Sequence, residues 1–239
     1  MDRVSASPSP MLHRWFPPLL ALLVFLTVCR SPGRPIDPER YAAPVRVACL
    51  GDSITFGSLV ENREKNSYPA QLGDLLGPHW EVRNLGVSGA TLLEHGDKPY
   101  RQLPEYQGAL DFQPDVIVIM LGTNDSKPQN WKYGGEFAAN YTSLLRTLAA
   151  LPSHPRIWIC RPMPAWPPSG YAIEPAVLER EIGPLVEAVA RDENTGFIDQ
   201  FAALTGHHDL VPDHVHPNAA GATLLAREVY RALTGLEPR

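Results

Sequence analysis

Four short polar turns carry residues able to do acyl-transfer chemistry. Ser53 stands in Gly51-Asp52-Ser53-Ile54-Thr55, and Gly86 in Asn84-Leu85-Gly86-Val87-Ser88-Gly89. Asn124 stands in Gly122-Thr123-Asn124-Asp125, and Asp213 and His216 in Asp213-His214-Val215-His216-Pro217-Asn218. A serine hydroxyl is a weak nucleophile until a base takes its proton. His216 can be that base, since an unperturbed imidazole titrates near pH ~6.5. Asp213 precedes His216 by three residues, so one short turn can bring carboxylate to imidazole. There it would fix the tautomer and stabilise the imidazolium. The oxyanion that forms next needs preorganised donors. Candidates are the backbone N–H of Ser53, that of Gly86 and the side-chain amide of Asn124. Glycine at 86 would let the backbone approach a bound carbonyl without a Cβ in the way.

The surrounding pattern says how such turns could be gathered. Short apolar runs at 45–50, 80–85, 116–121, 156–160 and 196–201 read as strands. The clearest, VIVIML at 116–121, is continuous and β-branched, as in a strand covered on both faces. Amphipathic segments at 68–76, 137–151, 175–191 and 218–233 read as helices, the last with Asn218 as N-cap. Strands and helices alternating at this spacing argue a parallel sheet with helices on both faces. In such sheets ligands bind beyond the carboxyl ends of the strands. The four turns follow strands, so they converge on one edge. The proline-rich stretch 161–171 reads as a loop.

GDSIT, NLGVSG, GTND and DHVHPN, in this order, resemble the four blocks of the SGNH (GDSL) hydrolase family. The resemblance runs from residue 45 to about 233. It implies a flavodoxin-like, three-layer α/β/α sandwich with five parallel strands in the order 2-1-3-4-5. It implies Ser53 as nucleophile, Asp213 and His216 completing a triad, and Gly86 and Asn124 as oxyanion donors beside Ser53. GATLLEHGDKPY and VIMLGTNDSKPQNW look like the carbohydrate acetylesterase branch, which includes sialate and xylan O-acetylesterases. One position departs from the family: His214 stands where members often carry glycine. It competes with His216 as the base, but the D-x-x-H spacing and the following Pro-Asn favour His216.

Other features have plainer readings. Asp52 and Asp125 suit structural carboxylates bonded to nearby backbone N–H groups. The stretch with His207, His208, Asp209, Asp213, His214 and His216 invites a metal, but no H-E-x-x-H spacing is present. We expect no metal and no cofactor. Trp131, Tyr133, Trp166 and Tyr171 follow the third and fourth strands; they and Tyr100 could stack on sugar rings or simply pack their loops. Of these, Tyr100, Trp131 and Trp166 are the substrate-binding candidates.

The 239 residues are 44% hydrophobic and 20% charged, with a net charge of −5. That fits a globular chain and disfavours nucleic acid as a partner. Three cysteines exclude a disulfide scaffold. Cys49 and Cys160 end strand-like runs and read as buried thiols. With the strand order that the resemblance implies, a third strand would separate them. An apolar run at 15–28 is too short for a membrane span of about 20 residues but suits a signal-peptide core. Residues 1–30 therefore read as a signal peptide or hydrophobic anchor, 31–44 as a proline-rich linker and 45–239 as the hydrolase domain. Leu26-Thr27-Val28-Cys29 loosely resembles a lipoprotein signal, so lipidation at Cys29 is an alternative; membrane contact would come only through this segment. The expectation is an exported serine esterase that removes acetyl groups from carbohydrate. Its rivals are a lipase, lysophospholipase or thioesterase of the same family, and a glycan-binding module without catalysis.

Overall fold

The structure, a computed structural model, describes residues 33–238. The leader-like segment at 1–30, with Cys29, lies outside the described residues. In chain order the elements are β1 (Val45–Gly51), α1 (Ser53–Phe56), α2 (Arg63–Asn66), α3 (Tyr68–Leu76) and β2 (Trp80–Gly86). Next come α4 (Pro104–Phe112), β3 (Val116–Met120), α5 (Pro128–Trp131), α6 (Phe137–Ala149) and β4 (Arg156–Arg161). The chain ends with α7 (Pro175–Val177), α8 (Gly183–Asp192), β5 (Gly196–Asp199), α9 (Gln200–Leu204) and α10 (Ala219–Thr234).

The five strands are parallel and ordered β2-β1-β3-β4-β5, as the resemblance implies. Side chains alternate across a strand, and here the alternation divides the core into two layers. Ala48, Leu50, Ile117, Ile119, Ile157 and Ile159 face α4, α6 and α8, where they meet Tyr106, Phe112, Phe137, Tyr141 and Val186. Val45, Val47, Cys49, Val116, Val118 and Trp158 face the other way, onto Tyr68 and Leu72 of α3 and Leu225 and Val229 of α10. Truncating one of these large side chains to alanine costs about 2–5 kcal/mol. Cys49 and Cys160 are free and buried, with β3 between their strands. Burial pushes the Cys49 thiol up to about 12, so it stays protonated.

Several boundaries differ from the sequence expectation, each for a local reason. The fifth strand stops at Asp199, not at 201, because the Asp199 carboxylate accepts the Ala202 N–H and caps α9. The helix expected over 175–191 is broken by a π-turn at Leu178–Ile182. Pro184 follows that turn and has no N–H to continue the ladder. α4 escaped the sequence reading: it starts on Pro104 at its first turn and carries Gly108, which weakens its pattern. The segment 31–44, expected as an extended linker, is docked where it is described: Ile36 is buried and its N–H bonds the Leu233 carbonyl at 2.7 Å. Asn218 caps α10, accepting the Gly221 N–H at 3.0 Å.

Candidate active site

Ser53 sits at the first position of α1, directly after the carboxyl end of β1. The Asp52 carboxylate caps that helix by accepting the Ile54 N–H at 2.9 Å. The short loop before α10 brings in the partner. His216 Nε2 lies 2.8 Å from Ser53 Oγ, across 163 residues of sequence. Its Nδ1 lies 2.6 Å from Asp213 Oδ2. Asp213 Oδ1 accepts two backbone N–H groups, from Val215 at 3.0 Å and His216 at 2.6 Å. Burial alone would raise the Asp213 carboxyl, but the His216 ring and these two N–H groups outweigh it and hold it below its usual range. An ionised Asp213 makes Nδ1 the protonated ring nitrogen, which leaves Nε2 to accept from the Ser53 hydroxyl. The run Asp213–His216–Ser53 can therefore move a proton off the serine.

His214 does not reach the serine. Its backbone is left-handed, with φ +70°, which explains why glycine suits this position. Its ring stands 4.9 Å from that of His208, which in turn meets Trp166 edge-on. Among the described residues no group of three or more His, Cys, Asp or Glu gathers to hold a metal ion.

A cleft of about 290 Å³ opens over Ser53 and His216. Ser58, Leu59, Ser88, Gly89, Asn124, Lys127, Tyr171, Ile173 and Val215 complete its wall. Asn124 is buried and donates one amide N–H to the Ala90 carbonyl at 3.1 Å. The Ser53 N–H, first in its helix, has no acceptor within that helix.

Gly86, the other expected donor, is a correction. Its N–H is already bound to Asn84 Oδ1 at 3.0 Å, and it does not line the cleft. Glycine is required there for another contact: a Cβ would lie 2.2 Å from the Phe56 nitrogen, so β2 and α1 could not approach. Gly89, three residues on, does line the cleft. Its φ of +83° suits glycine, and its N–H has no acceptor among the described residues.

The aromatic candidates are corrected too. Tyr100 is buried, and its hydroxyl donates to the Leu85 carbonyl at 2.7 Å, so it offers no ring face to a ligand. Trp131 lines a separate groove with Gly134 and Ala138 and donates to Glu181 at 2.9 Å. Trp166 packs on the α10 side of the core and is absent from the cleft wall. The aromatic that does reach the cleft is Tyr171, 44% exposed, with its ring edge-on to His216 at 5.0 Å. Nothing in the sequence separates it from the other loop aromatics.

Two buried carboxylates lie behind the wall. Asp125 accepts the N–H groups of Leu93 at 2.7 Å and Leu92 at 3.0 Å, tying the Asn124 turn to the loop after β2. Burial pushes Asp125 up to about 7, against the pull of those N–H groups and helped by the charge of Asp52. Burial also pushes Asp52 up to about 6, opposed by the Ile54 N–H and by His216 and Lys127 nearby.

The comparisons with known proteins agree with this architecture. An acetylxylan esterase from Xylanibacter ruminicola is 40% identical over 207 residues, 79% of this chain. The chain spans only 43% of that relative's length. A carbohydrate acetylesterase from Sinorhizobium meliloti shares the fold with a TM-score of 0.63 at 20% identity, over 78% of this chain and 96% of that one. An acetylxylan esterase from Geobacillus stearothermophilus gives a TM-score of 0.59 at 23% identity, over 80% of this chain and 94% of that one. At such identities these two likenesses speak to the fold. The profile of the GDSL-like Lipase/Acylhydrolase family matches residues 49–224, most of the chain. The chain belongs to the GDSL-like lipase/acylhydrolase family.

Proposed function

We propose that the chain is a carboxylic ester hydrolase that releases acetyl groups from carbohydrate through an acyl-enzyme on Ser53. One observation carries the reading: the unbroken run from Asp213 through His216 to Ser53, at 2.6 and 2.8 Å, opening on a small cleft. The acetyl and carbohydrate parts are supported by the likeness to an acetylxylan esterase at 40% identity.

In the first step the Ser53 oxygen attacks the ester carbonyl as its proton passes to His216 Nε2. The Ser53 N–H, the Gly89 N–H and the free amide N–H of Asn124 stabilise the oxyanion. The tetrahedral intermediate collapses, and the sugar hydroxyl leaves with the proton from His216. In the second step His216 takes a proton from water. The resulting attack on the acetyl-serine releases acetate and restores Ser53. Asp213 keeps the imidazole oriented throughout.

The test is a set of initial rates on p-nitrophenyl acetate, butyrate and octanoate, beside Ser53→Ala. Serine-dependent release that falls steeply with chain length supports the reading, and acetylated oligosaccharides follow. A maximum at octanoate moves the assignment to a lipase or thioesterase. No turnover on any ester, glycan esters included, leaves a binding module. We also propose export, on the leader-like sequence at 1–30, with 45–239 as the hydrolase domain. The mass of the N-terminus of the chain recovered outside the cytoplasm tests it.

A further inference from the structure

Seven of the eight tyrosines pack into one of the two core layers; Tyr171 packs into neither and stands exposed. The loop that carries it is nonetheless pinned at both ends to the active site. On one side the Trp166 N–H donates to the His214 carbonyl at 3.0 Å, in the loop of Asp213 and His216. On the other the Glu174 N–H donates to Ser126 Oγ at 3.2 Å, and Ser126 Oγ donates to the Thr123 carbonyl at 2.7 Å, beside Asn124. Between the pins Ala172 holds φ +56°, a left-handed backbone that alanine rarely adopts. Such residues cluster at active sites. This one lies between Tyr171 and Ile173, and both line the cleft.

Tyr171 meets two members of the triad at once. Its ring stands perpendicular to that of His216, at 89° and 5.0 Å between centroids. Its hydroxyl faces Asp213: a hydrogen bond to that carboxylate, then burial and the charge of Asp213, push the phenol above its usual value, so it stays a donor. An ionised carboxylate offers about four acceptor sites. The Val215 N–H, the His216 N–H and the His216 ring occupy three on Asp213. The phenol is the donor at hand for the fourth. Of the other ionisable groups around His216, Asp52 senses it from beneath Ser53, and His214 turns to His208.

We propose that Tyr171 is a positioning residue of the site: its hydroxyl completes the donor set around Asp213, and its ring limits the swing of the His216 imidazole. This rests on the Ser53 esterase reading above. When His216 takes the serine proton, Asp213 must hold the imidazolium in place. A phenol on the carboxylate keeps it from turning to water, and it draws off part of the negative charge that the imidazole feels. Without that donor the carboxylate favours the imidazolium more strongly, so His216 becomes more basic.

The experiment uses the full chain with Tyr171→Phe, which keeps the ring and loses the hydroxyl, and Tyr171→Ala, which loses both. Rates on p-nitrophenyl acetate are taken from pH 5 to 9. Tyr171→Phe should lower kcat by about tenfold, the scale of one hydrogen bond to a charged group, with KM within about twofold. The acid limb of its kcat/KM profile should move to higher pH by about half a unit, less than the 1–3 units of a direct opposite charge. Tyr171→Ala should lose more turnover than Tyr171→Phe. The second readout needs no turnover: the titration of the His216 ring followed by NMR in Ser53→Ala, with and without Tyr171→Phe. It should rise by the same half unit. A fall in rate with an unmoved acid limb and an unmoved ring titration makes Tyr171 a wall of the cleft alone and overturns the proposal. Ester turnover that both Tyr171 variants leave intact overturns it while the esterase reading stands. A raised His216 titration in a chain that turns over no ester supports the positioning role and sinks the esterase reading.

Discussion

Asn124 reaches back 34 residues to hold the Ala90 carbonyl through one amide N–H, at 3.1 Å. That bond fixes the plane of the amide, so its second N–H is aimed before substrate arrives. A donor preorganised in this way acts on the transition state more than on the bound ester. Asn124→Ala is expected to lower kcat by about 10²–10³ while KM moves only a few-fold. Steady-state kinetics on p-nitrophenyl acetate checks it. A rise confined to KM would place Asn124 in ground-state binding instead.

Asp213 is committed on both oxygens. Oδ1 holds the Val215 and His216 backbone, and Oδ2 holds the His216 ring. Asp213→Asn keeps the shape but turns its NH2 either on the two backbone N–H groups or on the ring N–H, so either the loop or the ring tautomer is lost. Turnover should fall by about 10⁴. Asp213→Ala should fall at least as far. Retained activity in both, together with loss in His214→Ala, would move the base to His214.

Gly86 and Gly89 differ by three residues and should fail in different ways. A Cβ at Gly86 meets the Phe56 nitrogen at 2.2 Å and the Thr55 carbonyl carbon at 2.6 Å. Gly86→Ala therefore drives α1, and Ser53 with it, away from β2. Overpacking of this kind costs about 1–3 kcal/mol or more, so the melting temperature should drop together with the rate. At Gly89 a Cβ meets only the Lys98 side chain, at 3.8 Å, but φ is +83°. Gly89→Ala costs about 1–2 kcal/mol of backbone strain and should reduce kcat beyond what its melting temperature explains. Equal kcat losses in the two folded variants would remove the distinction drawn between them.

These contrasts show where the sequence is legible. The sheet is legible because a doubly covered strand must be apolar on both faces, as in VIVIM of β3. The meeting of Ser53, Asp213 and His216 is legible because Ser53 directly follows the first strand and the Asp213–His216 loop lies between the last strand and the last helix, and the loops at the carboxyl ends of a parallel sheet share one edge. Gly86 and Gly89 are a different matter. Both lie in one short sequence block, one ending β2 and the other in the loop beyond it, and which N–H is free depends on Asn84, whose side chain claims the first. Tyr100, Trp131 and Trp166 look like Tyr171 in composition, since loop aromatics are chosen by packing partners far away in sequence. β5 reads too long because an Asp199 cap is invisible until Ala202 is seen above it.

The last prediction concerns the two carboxylates beneath the cleft. Burial first, then the charge of Asp52, lifts Asp125 from 3.8 to about 7; burial lifts Asp52 from 3.8 to about 6. In the unfolded chain both return to the ordinary range, so between about pH 4 and 7 the folded state holds more protons. Stability then falls as pH rises through this window and levels off above it. Asp213 runs the other way: its lowered value stabilises the fold above 3.8, and that share is lost only below. The two trends are therefore separable by pH. Asp125→Asn removes one titrating group and one of two acceptors, for the Leu92 and Leu93 N–H groups. It should be less stable than wild type at pH 5, with a gap that narrows towards pH 8. Melting temperatures of both proteins at pH 5, 6, 7 and 8 decide the matter. Parallel curves would mean that Asp125 is ionised throughout, held so by its two N–H donors against the cost of burial.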